Sequence, residues 1–140
     1  FLKKYYQPDI QLKLTKHLLK IANTSIDLSD GLVEDLTKML NKQNLSFQLS
    51  EKKIPTSKHF NNLISNKKLK KINLISNGDD YQILFTAIPK KARIIKNISY
   101  MTGIKISKIG KIVSGKNISS IIDEKGSQIL CKNKGFIHQF

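Results

Sequence analysis

Residues 25–36 read SIDLSDGLVEDL and hold four carboxylates, Asp27, Asp30, Glu34 and Asp35, in a chain whose formal net charge is +15. Along an extended segment side chains alternate, so Asp27 and Ser29 share one face, and Asp30 follows at the turn where the N–H groups of a new helix are free. Gly31 removes a side chain just where a ligand can approach the backbone. Two carboxylates and a hydroxyl offer oxygen only, the donor set of a hard cation such as Mg²⁺, which is usually shared between a carboxylate or two and substrate phosphates. The same residues have a purely structural use. Ser, Asp and Gly at a helix start cap the helix, and acids there meet the positive end of its dipole. Glu34 and Asp35 are read as surface and dipole residues.

A second acidic turn lies in SNGDDYQILFT, residues 76–86. Asn77 and Gly78, between KINLIS and DYQILFT, suit a two-residue hairpin turn. Asp79 and Asp80 nevertheless sit at the mouth of a strand, where functional loops often lie. Together the two turns hold six of the chain's ten acids. In so basic a chain, that placement favours a role, with a divalent metal or a cationic substrate as the two obvious partners. A third feature is the closing KGFIHQF, where Phe136, His138 and Phe140 follow Gly135. An aromatic there either plugs the core or stacks on a flat heterocycle.

The elements that must position these residues belong to a chain of 140 residues, one domain's worth, for which one compact unit is the default. The opening FLKKYYQPD has the look of a linker (residues 1–9) entering a domain (10–140), and the expectation is a fragment of something longer. Apolar residues make up 39% and charged residues 25%, and no stretch approaches the roughly 18 apolar residues that cross a bilayer. A lone Cys131 forms no internal disulfide, and His17, His59 and His138 have no zinc-site spacing with it, so a reducing cytoplasm is the expected compartment. Of the 25 basic residues only Arg93 is arginine. Scattered lysines without arginine forks or interleaved aromatics read as solvated faces, not as a specific nucleic-acid surface. Their diffuse positive field still helps recruit anionic ligands such as nucleotides.

Helical spacing of Ile10, Leu14, Leu18 and Ile21 predicts a helix over 10–21 after Pro8. Residues 24–28 read as a short strand. From Gly31 on, Leu32, Val33, Leu36, Met39 and Leu40 predict a helix capped by Ser29 or Asp30. LSFQLS (45–50) alternates as a strand. Residues 51–71 read as a loop around Pro55 with a lysine-rich helical stretch. A strand is expected at 80–88, a helix at 90–102 stopped by Gly103, a strand at 104–113, and a pair of strands, ISSII and SQIL, around the DEKG turn at 123–126. Helices and strands intermix, so the class is α/β or α+β, a mixed sheet packed with helices.

Three motifs, in order across nearly the whole chain, resemble those of the C-terminal domain of the thiamine-monophosphate kinase family, within the aminoimidazole ribonucleotide synthetase-like superfamily. The family's (I/M)D(I/V)SDGL is similar to Ile26-Asp27-Leu28-Ser29-Asp30-Gly31-Leu32, and the pattern continues with Asp35 and Leu36. SGGEDYELLFT is similar to SNGDDYQILFT, and a closing Gly-aromatic-x-His to Gly135, Phe136, Ile137, His138. The resemblance implies ATP-dependent phosphorylation of thiamine monophosphate to thiamine diphosphate with Mg²⁺. It implies Asp27 and Asp30 as metal ligands, Ser29 as a nucleotide contact, and Asp79 and Phe136 as substrate contacts, with Gly31, Gly78 and Asp80 in support.

The departures are Asn77 for a glycine, Gln82 for a glutamate, and Asp79 one methylene shorter than the family's residue, so that Asp79 needs a water or Asp80 to reach substrate. The resemblance also implies that the family's N-terminal domain, which carries further metal and nucleotide ligands and forms a homodimer, is absent from this chain. Alone, the 140 residues are expected to be inactive. The alternatives are another ATP-using member of the superfamily, most of which carry a glycine-rich run where this chain has SDGL, or a basic noncatalytic binding module.

Overall fold

The computed structural model describes residues 11–41, 43–66, 70–75 and 81–129. These divide into two compact units where length alone suggested one. The first contains residues 11–29 and 81–106, the second residues 30–75 and 107–129.

In the first unit, α1 (Leu12–Ile21) leads to strand β1 (Thr24–Asp27), which pairs antiparallel with β3 (Ile83–Thr86) from Thr24 opposite Thr86 to Asp27 opposite Ile83. Main-chain bonds prolong the ladder at both ends: Asn23 N–H donates to Thr86 O at 2.8 Å, and Leu28 N–H to Gln82 O at 2.9 Å. A short 3₁₀ turn (Pro89–Lys91) starts the helix α5 (Ala92–Thr102), which stops at Gly103 as expected, with the glycine left-handed at φ +70. Leu14 and Ile21 of α1 and Ile98 of α5 form the buried core, with Leu18, Ile83, Phe85, Ile95, Ile104 and Ile106 packed against it. The helix-period pattern and the two strands thus close one small core.

In the second unit a four-stranded sheet runs in the order β4 (Gly110–Ser114), β2 (Leu45–Ser50), β5 (Ser120–Ile122), β6 (Gln128–Ile129). The sheet is mixed: β2 is antiparallel to β4 and parallel to β5, and β5 and β6 form the antiparallel pair expected around the DEKG turn. The helices are α2 (Leu32–Met39), α3 (Lys58–Ser65) and the short α4 (Lys71–Ile75), with a 3₁₀ turn at Glu51–Lys53. Leu32, Val33, Leu36, Phe47, Leu49, Ile54, Ile75 and Ile121 are buried. Buried Ser46 ties the 115–118 turn to β2. Its hydroxyl donates to Gly115 O at 2.6 Å and accepts from Ile118 N–H at 3.2 Å. The class is α+β, with helices packed on mixed sheet.

Two readings are corrected here. The strand expected over 104–113 begins only at Gly110, because side chains of α5 capture the preceding backbone. Ser99 Oγ donates to Ile104 O at 2.7 Å and accepts from Ile106 N–H at 3.4 Å, while Thr102 Oγ1 accepts from Ile104 N–H at 3.3 Å. Such local side-chain partners satisfy backbone groups that a ladder would otherwise use. The alternative reading of Asn77 and Gly78 as the turn of a hairpin is not supported by its flanks. Lys71–Ile75 is helical and β3 takes β1 as its partner.

Candidate functional site

Asp27 closes β1, and its side chain is exposed, as the alternation along the strand requires. Ile26 beside it is half-buried. Asp27 makes no ion pair among the described residues. Beyond it the chain keeps pairing for one more residue on each side: Leu28 N–H donates to Gln82 O, and Leu28 O accepts from Tyr81 N–H, both at 2.9 Å. Leu28, next to Asp27, and Tyr81–Gln82, at the start of the run that leads into β3, are therefore main-chain neighbours. Tyr81 adopts the left-handed region at φ 48, uncommon for a bulky residue, and remains exposed.

After half-buried Ser29 the chain enters the second unit, the boundary falling between Ser29 and Asp30. The N-cap of α2 is Gly31, not Ser29 or Asp30, with φ +113 and ψ 151, a combination that only glycine adopts without strain. Closure of this helix start comes from the other direction. Asp35, expected at the surface, is 1% exposed, and its Oδ2 accepts the Asp30 N–H at 3.0 Å, while its own N–H donates to Gly31 O at 2.9 Å. A first-turn carboxylate reaching back to a free N–H satisfies a donor and meets the dipole at once.

The Asp30 side chain, 14% exposed, is ion-paired through Oδ2 with the ammonium of Lys38, which is 45% exposed. The hydrogen bond that Lys38 donates to Asp30 holds the Lys38 ammonium protonated above its usual range, against the pull of desolvation, with the fields of Asp30, Asp35 and Glu34 adding to it. Helical spacing points to Glu34 as the partner of Lys38, four residues on. The structure gives Lys38 to Asp30 instead, because the turn at Gly31 folds Asp30 back over the helix face.

Gly78, Asp79, Asp80 and Phe136 lie outside the described residues. Among the described residues no group of three or more His, Cys, Asp and Glu side chains is arranged to hold a metal ion by itself. No helix among them is long and apolar enough to cross a membrane. Sequence reasoning missed Asp35 and Lys38. Asp35 carried a signal in its position early in α2, whereas nothing in the spacing pointed Lys38 to a residue eight positions earlier.

No family model matches the chain. Among known proteins, it is 34% identical over 139 residues to a thiamine-monophosphate kinase of Buchnera aphidicola from Acyrthosiphon pisum, spanning 98% of this chain and 42% of that protein. It is 26% identical over 140 residues to that of Caulobacter vibrioides, spanning 98% of this chain and 39% of that one. The chain thus spans about two-fifths of the length of these relatives. Its fold is similar to part of the thiamine monophosphate kinase from Aquifex aeolicus, with a TM-score of 0.69 at 23% identity, covering 91% of this chain and 40% of that one. The AaThiL complex with AMPPCP and TMP gives the same TM-score of 0.69 at 22% identity, over 96% of this chain and 39% of that one.

Proposed function

As a relative of the thiamine-monophosphate kinases over nearly its whole length, the chain is, we propose, the C-terminal part of an enzyme that phosphorylates thiamine monophosphate with ATP. The observation that carries this reading is the pairing of β1 with β3. It joins the IDLSDGL stretch to the strand that the second acidic turn enters. In the reaction an oxygen of the substrate's phosphate attacks the γ-phosphorus of ATP, a new P–O bond forms, and the bond to the β-phosphate breaks to release ADP. The protein's task is placement and charge neutralisation.

Asp27 and Asp30 are the ligands proposed for Mg²⁺. The donor chemistry fits: Asp27 is exposed and unpaired by any described cation, and the Asp30 carboxylate already holds a cationic group. Both offer the oxygen ligands a hard cation takes. When bound, the metal neutralises charge on the phosphates. Ser29 is the proposed nucleotide contact, its hydroxyl able to donate to a phosphate oxygen. Gly31 admits a phosphate to the backbone at the start of α2, where free N–H groups favour an anion. Asp79, with Asp80 and Gly78 in support, and Phe136 are the proposed contacts of the cationic thiazolium end of the substrate. The remaining ligands come from the rest of the protein, the N-terminal domain of the family, through which we propose a homodimer working in the cytoplasm.

The test is direct: the full-length protein, incubated with ATP, Mg²⁺ and thiamine monophosphate, should yield thiamine diphosphate and ADP in equal amounts by chromatography. ADP without thiamine diphosphate, or neither product, rejects the assignment.

A further inference from the structure

We propose that Lys38 is a built-in counter-cation that holds the Asp30 carboxylate while no metal is bound and withdraws when a divalent cation takes its place. The inference rests on the reading of Asp30 as a metal ligand and adds to it a residue that sets the strength of metal binding.

A carboxylate with only 14% of its side chain exposed needs a positive partner nearby, and the Lys38 ammonium on Asp30 Oδ2 supplies one. A divalent cation at Asp30 would bring a second positive charge to an oxygen that the ammonium already occupies. The two repel at that separation, so the contact of one weakens that of the other.

The geometry equips Lys38 to be the one that leaves. The lysine stem is flexible, its charge is compact and easily hydrated, and the side chain is 45% exposed. Asp30, by contrast, is anchored from within the helix start, since its N–H is bound at 3.0 Å by the buried Asp35, independently of Lys38. Departure of the lysine therefore leaves the backbone of the metal-binding turn in place. Lysine and metal compete for one carboxylate, so the protein trades resting stability of the turn against metal affinity.

Mn²⁺ serves as the probe, titrated into the full-length protein without nucleotide, with free ion counted from its electron paramagnetic resonance signal. Lys38→Met should bind Mn²⁺ about fivefold more tightly, the gain expected when a competing partly exposed ion pair is removed. Lys38→Arg, which restores the competing charge, should return affinity toward wild type, and Lys38→Gln serves in place of the Met variant should that one fail to fold. Unchanged or weaker Mn²⁺ binding in the neutral variants, with binding lost in Asp30→Asn, overturns the role of Lys38 and leaves the metal reading intact. Unchanged binding in Asp30→Asn overturns the metal reading and this proposal with it.

Discussion

Asp35 Oδ2 accepts the main-chain N–H of Asp30 at 3.0 Å, so an acid in the first turn of α2 fixes the residue that precedes its glycine cap. Asp35→Ala leaves that N–H without its acceptor in a part-buried setting and should cost about 1–3 kcal/mol. Asp35→Asn keeps an acceptor oxygen and should cost less. Urea denaturation of the two variants checks the order, and equal losses would assign the effect to charge and not to the hydrogen bond.

The Lys38–Asp30 pair predicts a loss of stability in alkali. The pair raises the folded-state value of Lys38 above the ordinary 10.5, so its contribution is whole below that pH and is lost as pH rises through the folded-state value. Lys71 acts with the opposite sign. Burial lowers its value below 10.5, so its charge opposes folding at neutral pH, and the penalty fades as pH climbs to 10.5. Urea midpoints measured from neutral pH to about pH 11 should fall less in Lys38→Met than in wild type.

Two glycines should respond to alanine for different reasons. Gly110 faces Leu49 across β2 and β4, and a Cβ there would overlap the Gln48 carbonyl and come within 2.8 Å of Leu49 Cδ2. Gly110→Ala should cost about 3 kcal/mol by forcing the strands apart. Gly103 has open space around it but a φ of +70, so Gly103→Ala should cost only about 1–2 kcal/mol of backbone strain. Thermal unfolding of both variants gives the ranking, and a larger loss at Gly103 would contradict it.

If the proposed role of Phe136 holds, Phe136→Ala in the full-length protein should weaken thiamine monophosphate binding by roughly 1–3 kcal/mol, the loss of one stacking partner, and change ATP affinity little. On the proposed metal role of Asp30, Asp30→Asn should chiefly lower kcat, because a metal ligand acts on charge that develops in the transition state. Steady-state kinetics on both substrates separate the two, and equal losses for ATP and thiamine monophosphate in Phe136→Ala would remove that residue from the substrate pocket.

The 140 residues by themselves should not turn over ATP, since phosphoryl transfer requires ligands that the relatives' remaining length would supply. Product formation by this chain alone, followed by coupled ADP release, would refute that division of labour.

Much of this was legible in the residues. LSFQLS alternates and is a strand over its full length, and the Gly103 stop was visible because glycine tolerates the left-handed cap. Periodicity misplaced the segment after it, since IKISKI alternates like a strand but loses its backbone donors and acceptors to Ser99 and Thr102, a tertiary competition that no pattern encodes. At the site, the oxygen-rich turn was readable from residue types. The burial of Asp35 and the reach of Lys38 were not, because both follow from how the Gly31 turn folds back, a three-dimensional matter.

Finally, both sheets are closed by strands distant in the chain: β1 waits for β3, and β2 for β4, each about 60 residues further on. During synthesis the 30–75 stretch emerges before the first unit can pair its strands, and it cannot complete its own sheet until Gly110–Ser114 has followed. Phe47, Leu49 and Leu36 must therefore wait uncovered while most of the chain is made. Slowing translation would therefore prolong the exposure of this apolar surface without giving either unit an earlier chance to close its sheet.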